Sequence, residues 1–197
     1  MIFANNKAYQ SRSSRHGGFT LIELIVTISI FVFMTALVLS RYNDYYSGTI
    51  FKNLAYDIAI TIREAQSYGI SVKVRTDNFS KAYGVFFPGS AGPQKFALTS
   101  YDIDNYVAGV SEKDYMLKHG AVFSQLLVSS DNDTYTTADD LAIIFQRPNP
   151  EAIICAKVGG GGQNCTGYKF AKIVLQAVNG SNITVKVNTT GQISIEN

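Results

Sequence analysis

Two kinds of apolar pattern divide this chain. Positions 19–39 read FTLIELIVTISIFVFMTALVL, an apolar run whose one charge is Glu23. As a helix rising ~1.5 Å per residue, that run reaches about 31 Å, close to the ~30 Å hydrocarbon core of a bilayer. Thr20, Thr27, Ser29 and Thr35 fit such a span, because their hydroxyls can bond back to helical carbonyls. Beyond it the apolar residues keep to one face. Ile50, Leu54, Ile58 and Ile62 recur every four residues, flanked by Phe51, Ala55, Ala59 and Ala65. Asp44, Lys52, Asp57, Arg63 and Glu64 lie largely off that stripe. No proline interrupts 19–70, and Gly69 reads as the stop. The pattern predicts one helix of about 50 residues, longer than most globular helices. Its first part is membrane-spanning (19–39) and its second amphipathic (40–69).

From position 70 the period shortens to two, with glycine, asparagine and aspartate turns. Strands are expected at 70–76, 83–87, 95–101, 121–129, 141–146, 152–158, 169–177, 182–187 and 192–195. The alternation is plainest in ITVKVN and QISIE, which would pair across 189–191. A region of this size, 70–197, can bury a real core. The expected fold class is α+β: a long amino-terminal helix packed on an antiparallel, sandwich-like β-sheet head.

Charge adds a correction. The formal net charge is +2, but Lys7, Arg12 and Arg15 lie before the apolar run with no acidic residue among them. Without them the remainder carries −1, which argues against a nucleic-acid surface, since that needs clustered Lys and Arg. By the positive-inside rule these residues and His16 keep the amino terminus cytoplasmic and place the carboxy-terminal part outside.

Candidate chemistry in the head is sparse. Cys155 and Cys165 flank AKVGGGGQN, with no CxxC. A hairpin turning at 159–162 would bring them together as a disulfide, favoured outside the cytoplasm; two free buried cysteines are the other reading. Asp131, Asp133, Asp139 and Asp140 form an acidic stretch in SSDNDTYTTADD. It offers a weak calcium candidate without the EF-hand glycine and terminal glutamate, so a solvated loop is the simpler reading. Asp102 and Asp104 are weaker still. The glycine run lacks the Lys-Ser/Thr of a phosphate loop. His119 has no second histidine, spare cysteine or paired glutamate beside it in the head. No catalytic residue and no cofactor is expected.

Glu23 is the residue that needs explaining. A carboxylate within a membrane span costs roughly 2.5–3.5 kcal/mol on insertion scales. A secretory signal peptide would put an A-x-A-type cleavage site after the apolar run, and LSRYNDYYSG contains none; the small pair Gly17-Gly18 precedes the run instead. A plain signal anchor leaves Glu23 without a partner. The stretch 18–24, GFTLIEL, resembles the class III signal of type IV pilins and type II secretion pseudopilins. The resemblance implies a leader at 1–18, cleavage between Gly18 and Phe19 by a prepilin peptidase, and N-methylation of Phe19. It also implies that Glu23 pairs with the new amine of a neighbouring subunit, which would neutralise two charges costly in lipid.

The same resemblance implies an inner-membrane, single-pass protein with a periplasmic or extracellular head. Its partners would be the prepilin peptidase, other pilin or pseudopilin subunits, the inner-membrane assembly platform and the membrane itself. The head segments 57–74 and 183–195 resemble minor pseudopilin H and its pilus relatives. DNA-binding relatives have arginines around the last glycine, and here Gly191-Gln192-Ile193-Ser194 has none. The implied role is a minor pilin or pseudopilin subunit. The alternative is a pilus-associated module whose head captures DNA, a surface or a secreted substrate. A signal-anchored exported enzyme is the third reading.

Overall fold

A computed structural model describes residues 18–71, 81–89 and 94–196, with backbone only at 41–47, 50 and 81. The leader up to residue 17 and most of the expected strand 70–76 lie outside the described residues. The chain divides into two compact units, Met1–Asn43 and Asp44–Asn197. Helix α1, Leu21–Ile70, contributes to both.

In the second unit the amphipathic stripe does what its spacing implies. Phe51, Leu54, Ala55, Ile58, Ile62 and Ala65 are buried in the main core. Gly69 is not the stop expected from the sequence, because α1 continues through it to Ile70. Its role is close approach: a Cβ there would lie 2.5 Å from the backbone oxygen of Phe145, so only glycine lets the last turn sit on the sheet. Ile70 is therefore helical rather than the start of a strand.

Eleven strands follow among the described residues. They are β1 (Lys81–Pro88), β2 (Lys95–Asp102), β3 (Ala108–Met116), β4 (Val122–Ser129), β5 (Thr136–Ala138), β6 (Asp140–Gln146), β7 (Asn149–Lys157), β8 (Gln163–Asn164), β9 (Phe170–Gln176), β10 (Asn182–Asn188) and β11 (Ile193–Glu196). They form a six-stranded sheet ordered β3-β2-β1-β6-β7-β8 and a five-stranded sheet ordered β11-β10-β9-β4-β5. All pairings are antiparallel. β10 and β11 pair as expected, Val187 opposite Ile193 and Val185 opposite Ile195. Gly191, at φ 81°, takes the left-handed position their turn requires.

The two sheets and the helical stripe share one core. Alternation sorts each strand: Leu141, Ile143 and Phe145 of β6 face it, as do Ile173 and Leu175 of β9 and Val185 and Val187 of β10. The other face of the six-stranded sheet has its own small cluster of Ala82, Tyr101, Ala142, Ile144 and Cys155, covered by Ile103, Tyr106 and Cys165. Central strands with both faces buried explain why LAIIF reads as a continuous apolar run.

Polar contacts lock the helix in place. The Glu64 carboxylate accepts from the hydroxyls of Tyr68 (2.8 Å) and of Tyr115 on β3 (3.2 Å). Gln66 donates to the Pro150 carbonyl at 3.1 Å. The two sheets are stitched by Ala152 N–H to the Thr189 carbonyl, 2.8 Å.

Candidate functional site

Gly18, Phe19 and Thr20 precede α1 and are exposed; Phe19 is 80% accessible. The helix then begins with a cap. Thr20 Oγ1 accepts from the Glu23 N–H at 3.3 Å, and the Leu24 N–H closes the first helical bond onto the Thr20 carbonyl. Thr20-Leu21-Ile22-Glu23 is a T-x-x-E capping pattern, a signal present in the sequence that reasoning from hydropathy alone passes over. It places Glu23 in the first turn, where the positive end of the helix dipole favours a carboxylate.

Behind it, Leu21–Ser40 has a mean hydropathy of 2.5 and none of it is buried in the protein. The polar residues are satisfied locally. Thr27, Ser29 and Thr35 donate to the carbonyls of Leu24, Ile25 and Phe31 at 2.7–2.9 Å. These hydroxyls therefore need no water, which suits an apolar surrounding.

The head candidates separate. Cys155 and Cys165 are joined by a disulfide at the end of the β7–β8 hairpin, with Cys155 fully buried in the outer cluster. The four aspartates do not converge on one point. Asp131 accepts from the N–H groups of Thr134 and Asp133 and from the Ser129 hydroxyl, so its carboxyl is held down at about 2. Asp139 accepts from the Gly160 N–H, closing the glycine turn, and Asp140 from the Gly89 N–H. Three of the four carboxylates, Asp131, Asp139 and Asp140, thus accept backbone N–H groups in separate turns, and β5 runs through the stretch read as an acidic loop. Among the described residues no three His, Cys, Asp or Glu side chains are placed to hold a metal. Asp102 accepts from the Asp104 N–H in a turn, and His119 lies exposed at φ 59° in the turn between β3 and β4. The Tyr101 hydroxyl is buried with no hydrogen-bond partner, and burial pushes its pKa up.

Residues 13–39 match the family model described as the prokaryotic N-terminal methylation motif. No curated protein and no solved structure matches the chain. The matched stretch contains Gly18, Phe19, the capped Glu23 turn and the apolar helix. It is a type IV pilin-like prepilin signal, which implies processing by a prepilin peptidase and assembly with other pilins. The helix behind the signal is long and apolar enough to cross a membrane once.

Proposed function

We propose that this chain is a minor pilin or pseudopilin, cut between Gly18 and Phe19, N-methylated on Phe19 and assembled into a type IV pilus or type II secretion pseudopilus. One observation carries the reading: the methylation motif contains a capped first turn whose single carboxylate heads an otherwise uncharged span. Cleavage would create an ammonium on Phe19, one residue before the cap, where the helix dipole disfavours a positive charge. Glu23 of a neighbouring subunit supplies the compensating charge, and methylation leaves the ammonium charged. The Cys155–Cys165 disulfide supports a head outside the cytoplasm.

Mass spectrometry of the mature protein tests the core claim. An N-methyl-Phe19 terminus is expected; an intact Met1, or a cut beyond Leu39, overturns it. Glu23→Ala should leave membrane insertion intact and sharply reduce recovery of the subunit in filaments. Normal incorporation of that variant would remove Glu23 from the assembly step.

A further inference from the structure

We infer that the groove between α1 and β11 is a strand-addition site for an extended segment of a partner protein, one carrying an apolar residue and, two residues later, a carboxylate. The groove lies within the second compact unit, so its occupant does not depend on whether Gly18-Phe19 is cut.

The sheets end in four edges: β3, β8, β11 and β5. β5 has three residues and β8 two. β3 is longer, but its register against β2 breaks twice, and it carries Glu112, Lys113 and Asp114 in a row. Bulges and charges of that kind block edge pairing. β11 has neither. Its register with β10 is regular, and the Asn188 N–H donates to the Gln192 carbonyl. In an antiparallel ladder hydrogen-bonded pairs alternate, so Ser194 and Glu196 also bond toward β10. The peptide groups of Ile193 and Ile195 therefore point away from the sheet and offer donors and acceptors to another strand.

The same two isoleucines line a groove of about 320 Å³ with Tyr56, Ala59, Ile60 and Arg63 of α1. Gln66 lies against Gly191, so helix and strand run past each other in opposite directions. Arg63 then stands beside Ile193, and Tyr56 beside Ile195. Tyr56 and Ile60 are 56% and 62% exposed, large apolar side chains left uncovered by the described residues. Arg63 is exposed and has no carboxylate partner among the described residues. A sheet edge unpaired among the described residues, an apolar wall and a single cation at one end together specify the occupant. An antiparallel strand would set its apolar residue opposite Ile195 and its acid opposite Ile193, within reach of the guanidinium. The residue between them would face the other way, so its identity is free. β11 of a second copy does not meet this requirement. Pairing Ile193 with Ile195 of the other copy puts its Glu196 on the opposite face from Arg63.

The test uses the full chain in detergent micelles and the fluorescein-labelled peptide acetyl-Thr-Val-Thr-Glu-Thr-amide, read by anisotropy. Saturable binding is expected. It should weaken about tenfold or more with Arg63→Glu, with the peptide N-methylated at Val and Glu, and with Glu moved by one position. Loss through N-methylation separates strand addition from nonspecific apolar contact, because the side chains are unchanged. Arg63 is exposed, so its replacement leaves the fold intact. No saturable binding, or equal binding of the N-methylated peptide, overturns the proposal. So does concentration-dependent self-association abolished by Tyr56→Glu, which would make a second copy the occupant.

Discussion

The two ends of α1 are the same secondary structure put to opposite uses. Along Leu21–Ser40 apolar side chains surround the helix and none is buried in the protein. Along 51–70 most apolar residues keep to a stripe, with Ile58, Ile62 and Ala65 fully buried, while Tyr56 and Ile60 lie exposed beside it. A helix apolar all round finds its environment outside its own chain, in lipid or in other subunits, whereas a one-sided helix finds it in its own sheets. The glycines follow the same division. Nothing lies within 4 Å of a Cβ added at Gly48, while at Gly69 that atom would strike β6. The amino-terminal stretch is thus shaped by what it meets after synthesis, and the second by what it meets on folding.

One substitution made at two places tests this most severely. Ile62→Asp buries an unpaired carboxylate in the core, at a cost above about 3 kcal/mol, and should abolish the cooperative unfolding of the head in near-UV circular dichroism. Ile30→Asp, at a position 56% exposed within the span, should leave that transition unchanged in detergent. If both unfold the head, the division fails. Next in size is the Cys155→Ala/Cys165→Ala double variant. The bridge spans ten residues of sequence, so its removal should cost roughly 2–3 kcal/mol, seen as a lower denaturant midpoint. A smaller pair of opposite sign comes from the glycines. Gly69→Ala should destabilise the head by ~1–3 kcal/mol through overpacking against Phe145. Gly48→Ala should raise helicity, worth up to about 1 kcal/mol. Equal effects would mean that the last turn of α1 can lift off the sheet.

The sequence is most readable where one periodicity acts alone. The helix, the β10–β11 hairpin and the central strands β1, β6 and β9 all stand close to the expected positions. β3 was invisible because AGVSEKDYM lies at an edge with almost every residue exposed, so no inner face imposes alternation. β5 and β8 are too short to show a period, and they occur in segments read as an acidic loop and a glycine turn. Gly69 is ambiguous in the sequence because a stop and a close approach call for the same residue, and only the position of Phe145 tells them apart. The N-terminal methylation motif is legible in the sequence because it rests on adjacent residues. The β11 groove was not, because Arg63 and Ile193 meet only through the fold.

The finest test of the division is acid sensitivity, which should belong to the head. Asp131 accepts hydrogen bonds from the Thr134 and Asp133 N–H groups and from the Ser129 hydroxyl, and all three favour its ionised form. Its carboxyl therefore titrates at about 2 rather than 3.8. A carboxylate depressed on folding stabilises fully above its unfolded value, and that stabilisation is lost as pH falls through the folded one. The head should accordingly lose stability from about pH 4 to about pH 2. Asp131→Ala should lose less over the same interval, because the group that gains protons is gone. Denaturant midpoints of the head measured at both pH values in both proteins give the comparison. Because Asp131 is exposed, the difference should be the smallest of those described here, and far-UV helicity from the span should not follow it. Parallel acid losses in the two proteins would show that the loop turn does not depend on the charge of Asp131.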